Sequence, residues 1–420
     1  METIRKPRGT MDIFAPDIYK WQYVEEKLRS VAADFGFDEI RTPTFEELSL
    51  FQRGVGEGTD IVQKEMYTFE DREGKLFALR PEGTASVVRA LIENGKCSDT
   101  FPIKLNYFIN CFRYEKPQAG RSREFVQFGT EVFGSADAGA DFTVISLAAE
   151  AIRRLGIKGT KLHVNSVGCP SCRPKYREAL VNYLKANGAC LCETCCSRLE
   201  TNPLRVLDCK NEECKKLCEN APKTIDYLCD ECSSHMDKLT SMLDASGIEY
   251  VKDPFIVRGL DYYTKTVFEF IAEGIGAQST VCGGGRYDGL VKELKGPSLP
   301  ACGFGMGITR ILLAMEESGV KFPAPEAPKL YIASLGEAAQ TWAAAKVFAL
   351  RQRGISAEFD SVGRSLKAQM KYADKTGAEK VLIVGDSELE TGRANLRTMT
   401  GEMGENTQSE IELSRLEEYI

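Results

Sequence analysis

The chain has 420 residues, 43% of them hydrophobic and 27% charged, with a formal charge of −7. That length allows two or three domains and a sizeable core, and the acidic balance argues against bulk, sequence-blind nucleic-acid binding, so a nucleic-acid partner has to be argued from local patches. No apolar run reaches membrane-spanning length, the first residues Met1-Glu2-Thr3-Ile4-Arg5-Lys6 lack a signal-peptide core, and fifteen cysteines without an export signal point to thiols or metal in a cytoplasmic protein.

Residues 17–35 read as a helix, because Trp21, Val24, Leu28, Val31 and Phe35 recur at spacings of three and four. Pro16 suits its first turn and Gly36 its C-terminal cap. A short strand, 37–43, follows and stops at Pro43. After a turn at 72–74, a strand from Phe77 runs into Pro81 and Gly83, which leave Glu82 and Thr84 at a strand-to-helix junction. Thr84 is expected to cap the helix 84–92. Residues 104–113 and 123–133 read as two strands joined by 114–122. Side chains alternate along a strand. Phe125, Gln127, Gly129, Glu131 and Phe133 therefore share one face, and Val126, Phe128, Thr130 and Val132 the other. The second face belongs in a core; on the first, Gly129 makes room for a close approach. A helix at 141–155 and a strand at 162–167 complete this half.

From Cys169 to Cys232 the composition shifts: eleven of the fifteen cysteines lie here. Cys169/Cys172, Cys192/Cys195 and Cys229/Cys232 are CxxC pairs, with Cys190, Cys196, Cys209, Cys214 and Cys218 between them. A CxxC bends two thiolates toward one ion, and two such pairs complete a tetrahedral zinc shell. The six paired cysteines are the candidate ligands of a structural zinc, with reduced, unligated thiols the alternative. Next comes Val257-Arg258-Gly259-Leu260-Asp261-Tyr262-Tyr263, ahead of a β-branched and aromatic strand from Thr266 to Ile271. Arginine offers a fixed fork of donors for carboxylate or phosphate. Gly283, Gly284 and Gly285 allow close backbone approach to a ligand. Cys302 to Arg310 reads as a strand feeding a helix. Residues 321–328, with three prolines, read as a linker. Beyond it, strands and helices alternate at 329–335, 341–353, 356–360, 365–376 and 380–384, the pattern of a small α/β domain. The 365–376 helix carries Leu366, Met370 and Ala373 on one face and a stripe of Lys367, Lys371 and Lys375 on another.

The Arg258 stretch and Gly283–Leu290 resemble the two signatures of the histidyl-tRNA synthetases, the class II ligases that join histidine to its tRNA, and the resemblance spans essentially the whole chain. It implies an α/β fold with an α+β catalytic core. An antiparallel class II sheet flanked by helices would occupy residues 1–168 and 233–320. A cysteine-rich insertion domain would occupy 169–232, facing the acceptor stem, and an α/β anticodon-binding domain 329–420. The helix and strand ending at Pro43 resemble class II motif 1, which implies a homodimer; the 104–133 hairpin resembles motif 2, and the strand and helix around Arg310 motif 3. By this resemblance Arg258 and Arg113 are the catalytic cations. Glu82, Gly83, Thr84, Arg113, Gln127, Glu131, Arg258, Tyr262 and Tyr263 would hold L-histidine, with Glu131 on the imidazole. Arg113, Glu115, Arg121 and Arg310 would hold ATP, which brings Mg2+ because that ion prefers phosphate oxygens. Arg123 and the three stripe lysines would meet phosphates of the histidine tRNA. The implied reaction is ATP-dependent ligation of histidine to tRNA through histidyl-adenylate, with no role for a membrane. Two other readings compete. Synthetase-like regulatory subunits of histidine biosynthesis generally lack the C-terminal module and the Arg258 equivalent, both present here. A zinc-bearing RNA-binding protein would leave Glu82, Gln127, Glu131 and Arg258 without a task.

Overall fold

The computed structural model describes residues 3–56, 59–187, 191–201, 203–207, 209, 211–256, 258–275, 279–399 and 408–420; Cys190 and Val257 lie outside the described residues. The chain divides into two units, Met1–Phe322 and Pro323–Ile420.

The first unit is built on an eight-stranded sheet. Its spatial order is Asp38–Glu39, Ile103–Phe112, Glu124–Phe133, Ala301–Gly307, Thr280–Arg286, Thr264–Ala272, Thr160–Ser166 and Tyr250–Lys252. The six central strands run antiparallel, and the two short edge strands pair parallel to their neighbours. Strand parity divides the sheet as the alternation predicts. Phe128 and Val132, with Phe268 and Phe304 from neighbouring strands, pack under the helices Asp17–Asp34, Ala138–Arg154, Asp230–Ala245 and Ile308–Glu317. Those helices contribute Leu28, Val31, Val144, Leu147, Met236, Leu239, Ile311 and Met315 to this layer, and Val126 packs against it. Phe133 faces the opposite side, in a second cluster with Tyr107, Ile109, Tyr262, Tyr263 and Tyr287. Burying each large side chain is worth about 1.5–3 kcal/mol, so this two-sided division fixes the strand register: a slip by one residue would exchange the faces.

The helix expected at 141–155 begins at Ala138, because the Asp137 carboxylate accepts the Gly139 N–H at 2.8 Å and starts it one turn earlier. Its first turn holds Asp141, which pairs with the fully buried Arg286 at the end of a central strand. Arg286 also donates to the Ser135 carbonyl at 2.8 Å and to Asp288 at 3.0 Å, and His235 Nε2 lies 3.2 Å from Asp141. A charge removed from water is tolerated when partners surround it this closely.

The insert folds as short helices, Arg173–Ala186, Glu193–Thr201 and Glu212–Glu219, around a small core of Tyr176, Leu180, Leu184, Val206 and buried cysteines. The second unit has a five-stranded sheet ordered Ala357–Phe359, Leu330–Ser334, Lys380–Val384, Arg393–Thr398, Gln408–Glu412, its first three strands parallel. Leu330 and Ile332 pack with Val347 and Leu350 of the helix Glu337–Gln352 on one face. Tyr331 and Ala333 pack with Ala373 of the helix Leu366–Thr376 on the other. Beyond Val384, where the expected elements end, the helix Asp386–Thr391 leads to the last two strands, which extend the sheet.

Candidate active site

Arg258 lies in the turn before the Thr264–Ala272 strand and pairs with Glu269 on that strand. Burial disfavours its charge, and the Glu269 carboxylate outweighs that, holding the guanidinium pKa above its ordinary value. Its buried Nε has no protein acceptor among the described residues. The guanidinium fills the space beside Gly283, where an added Cβ would lie 2.4 Å from it. The glycine run therefore admits the protein's own arginine at that position.

The hairpin of Ile103–Phe112 and Glu124–Phe133 delivers further cations. Arg113 donates through Nε to the Pro81 carbonyl at 2.9 Å, and its guanidinium lies 5.3 Å from the Phe125 ring. Glu115 pairs with Arg121 at 2.6 Å and stands 3.9 Å from Arg113. Arg310, in the first turn of Ile308–Glu317, donates to the carbonyls of Gly120 at 3.1 Å and Thr280 at 3.0 Å. Burial lowers its pKa, and the charges of Arg121 and Arg113 lower it further. These four arginines line one cavity of about 720 Å3 together with Glu115, Gln127, Glu65 and Glu269. Four guanidinium groups converging on one cavity suit an anion, and the volume suits a nucleotide with a small second ligand. Burial, and next the charge of Glu115, raise the pKa of Glu65, against the charges of Arg113 and Arg121.

Glu82, Gly83, Thr84, Glu131 and Tyr262 lie in the buried layer of the sheet rather than on the cavity wall. Thr84 is not the helix cap: Gly83 occupies that position, and the Glu82 carboxylate accepts the N–H groups of Thr84 at 2.7 Å and Ala85 at 2.9 Å. A carboxylate two residues upstream satisfies two orphan donors and frees the Thr84 hydroxyl to donate to Glu131 at 2.8 Å. Glu131 also accepts from Tyr107 at 3.0 Å and from Tyr287. Burial pushes its carboxyl up to about 8, against the hydrogen bonds from Tyr287 and Thr84 that favour the charged form. The glycines of this layer make room for side chains of this protein. An added Cβ would lie 2.2 Å from Tyr107 at Gly129 and 1.8 Å from Glu131 at Gly303. Tyr263 lies 5.9 Å below the Arg258 guanidinium, beside a smaller cavity of about 240 Å3. Arg123 stacks on Tyr114 at 3.8 Å, away from the cavity wall, and Lys367, Lys371 and Lys375 are exposed on the second unit.

The six paired cysteines fall into two separate groups. Cys169 and Cys172 meet Cys229 and Cys232; Cys192 and Cys195 meet Cys209 and Cys214. Cys209 and Cys214 were not among the expected ligands, because their spacing is CxxxxC and lacks the two-residue signature. Glu65, Tyr107, Glu269 and Tyr287 were missed as well. Only Tyr287, inside Gly283–Leu290, and Glu269, on the strand expected at 266–271, carry any local signal.

A histidyl-tRNA synthetase family model matches residues 9–311, and an anticodon-binding-domain model matches 329–420. A histidine–tRNA ligase of Clostridium perfringens is 52% identical over 98% of each chain, and one of Clostridium botulinum 48% identical over 100% of this chain and 99% of its own. The solved structure of apo Staphylococcus aureus histidyl-tRNA synthetase superposes with a TM-score of 0.84 at 38% identity, covering 99% of both chains. A Bacillus halodurans structure titled as an ATP phosphoribosyltransferase regulatory subunit/histidyl-tRNA synthetase has a TM-score of 0.65 at 23% identity over 92% of this chain and 99% of its own, a likeness of fold alone.

Proposed function

The chain belongs to the histidyl-tRNA synthetase family, and from that premise we propose how it carries out the ATP-dependent ligation of L-histidine to histidine tRNA. The histidine carboxylate attacks the α-phosphate of ATP, giving histidyl-adenylate and pyrophosphate; the 3′-terminal ribose of the tRNA then takes the histidyl group and AMP leaves. The first step needs no enzymic nucleophile. It needs two anions held together and the transition-state charge neutralised. The convergence of Arg113, Arg121, Arg258 and Arg310 on one cavity carries this reading. Arg258 and Arg113 serve the carboxylate and α-phosphate, Arg121 and Glu115 the nucleotide, and Arg310 the far phosphates. Glu65 and Glu115 would be the carboxylates available to Mg2+, which would supply further charge neutralisation.

Gln127 orients the amino acid's polar head. The histidine side chain points toward the buried layer, where Glu131 reads the imidazole and Glu82, with lone pairs left over from capping, accepts the ammonium. Gly83, Thr84, Tyr262 and Tyr263 shape that end. Arg123 and Lys367, Lys371 and Lys375 contact tRNA phosphates, and the grouped cysteines of the insert would hold structural zinc. The enzyme works as a cytoplasmic homodimer, for which Phe45, Phe69 and Leu76, exposed on one three-stranded sheet of the single chain, are candidate contact residues. No helix among the described residues is long and apolar enough to cross a membrane.

The test is histidine-dependent exchange of labelled pyrophosphate into ATP, read beside aminoacylation of histidine tRNA. Both activities are expected. A chain that binds histidine but catalyses neither would be a sensor, the less supported reading.

A further inference from the structure

Among the described residues, the insert's eight grouped cysteines form two four-thiol clusters, and within each the sulfurs lie within 4.8 Å of one another. Cys169 Sγ is 3.6 Å from Cys172 Sγ and 3.9 Å from Cys229 Sγ; Cys192 Sγ is 3.8 Å from Cys209 Sγ. These separations are far too long for a disulfide. They match the sulfur spacing of roughly 3.8 Å around one tetrahedral ion with metal–sulfur bonds of about 2.3 Å. A four-iron cluster would spread its thiolates wider. Backbone N–H groups already donate to the sulfurs, from Cys229 to Cys172 at 3.1 Å, from Cys192 to Cys214 at 3.3 Å and from Asn211 to Cys209 at 3.5 Å, the outer support a metal-bound thiolate needs.

The second cluster stands at the reaction cavity: Cys192 and Cys209 are in its wall, with Arg198 and Arg205 between them in the chain. Arg198 lies one turn beyond Cys195 on the helix Glu193–Thr201, and Arg205 sits in the short turn Pro203–Val206 just before Cys209. Arg198 and Arg205 both donate to Asp60, at 3.2 and 3.3 Å. Arg205 also reaches the Arg258 carbonyl at 3.5 Å, and Arg198 the Arg205 carbonyl at 3.2 Å. An ion bound by four cysteines would cross-link the two segments that make this clasp.

We propose that the insert holds two mononuclear divalent ions, zinc by the softness of the donors, and that the ion held by Cys192, Cys195, Cys209 and Cys214 positions Arg198 and Arg205 against Asp60 and the backbone of Arg258. The positioning half rests on the cavity being the adenylation site; the metal half does not.

The experiment uses the full-length protein purified under reducing conditions, with zinc measured by elemental analysis and activity by histidine-dependent pyrophosphate exchange. Two zinc ions per chain are expected. Cys195→Ser should retain one, with exchange at least tenfold slower. Cys195→His, which keeps a ligand, should restore both the second ion and most of the exchange, a rescue that a mere packing role of Cys195 would not give. Less than half an equivalent of transition metal in protein with intact thiols overturns the proposal, as does a serine variant that still binds two ions. A folded serine variant that loses one ion and exchanges at the wild-type rate overturns the positioning half. Should that variant fail to fold, chelation of the wild-type protein decides the matter: exchange should fall with metal release and return with zinc, and exchange that survives removal of both ions refutes it. Two bound ions with no exchange in the wild-type protein would count against the adenylation reading alone.

Discussion

Arg258 is the residue whose surroundings say most about its task. It is held from one side by Glu269, given room by Gly283, and left with a buried Nε donor that no described protein group accepts. Removing one preorganised donor typically costs about a hundredfold or more in rate. Arg258→Ala should slow pyrophosphate exchange by at least that factor while weakening histidine binding less; a near-wild-type exchange rate would remove it from the mechanism. Glu131 makes a pH-dependent prediction. Its carboxyl is pushed up to about 8 by burial, so the fold favours the protonated form. That contribution to stability is complete below the ordinary carboxylate range and is lost as the pH rises through about 8. The stability of wild type relative to Glu131→Gln should therefore fall between pH 5 and pH 8.5 in urea titrations, and a pH-independent difference would contradict the assignment. Glu131→Ala should also weaken histidine binding more than ATP binding in calorimetry, because a site built around a polar contact rejects its loss strongly.

Between elements, the Arg286–Asp141 pair joins the Ala138–Arg154 helix to the Thr280–Arg286 strand with both side chains out of water. Deleting one partner of a buried pair strands the other charge. Asp141→Asn should therefore lower unfolding stability by about 3–5 kcal/mol, measured by denaturant titration at neutral pH. On the helix Leu366–Thr376, Gln369 is buried and bridges to the Ser334 backbone at 3.0 and 2.8 Å, which fixes the helix and leaves Lys367, Lys371 and Lys375 outward. Replacing the three lysines by glutamine should reduce tRNA charging in a salt-dependent manner and leave exchange intact. Charging equal to wild type at physiological salt would make the stripe an ordinary solvated face.

For the whole molecule, the break between units falls at Phe322/Pro323, and every residue assigned to adenylation precedes it. A chain ending near Glu326 should fold, associate as a dimer in sedimentation analysis and still exchange pyrophosphate, but charge tRNA poorly. Loss of exchange in a folded, dimeric truncate would show that the units are not separable in function.

The sequence by itself determined what periodicity and local chemistry can encode. The buried stripe of the first helix, the two faces of the Glu124–Phe133 strand and the first strands of the second unit all follow from spacings of two, three and four residues, and the signatures around Arg258 and Gly283 carried the family. Tertiary structure decided what depends on distant neighbours. It set Thr84 against Glu131 rather than at a helix cap, and gave the space beside Gly129, Gly283 and Gly303 to Tyr107, Arg258 and Glu131. It also divided the cysteines into two groups, one completed by Cys209 and Cys214. None of these is a local property. A glycine announces room without saying who fills it, and a thiol's partners are chosen by where the sheet and the insert bring segments separated by tens of residues together.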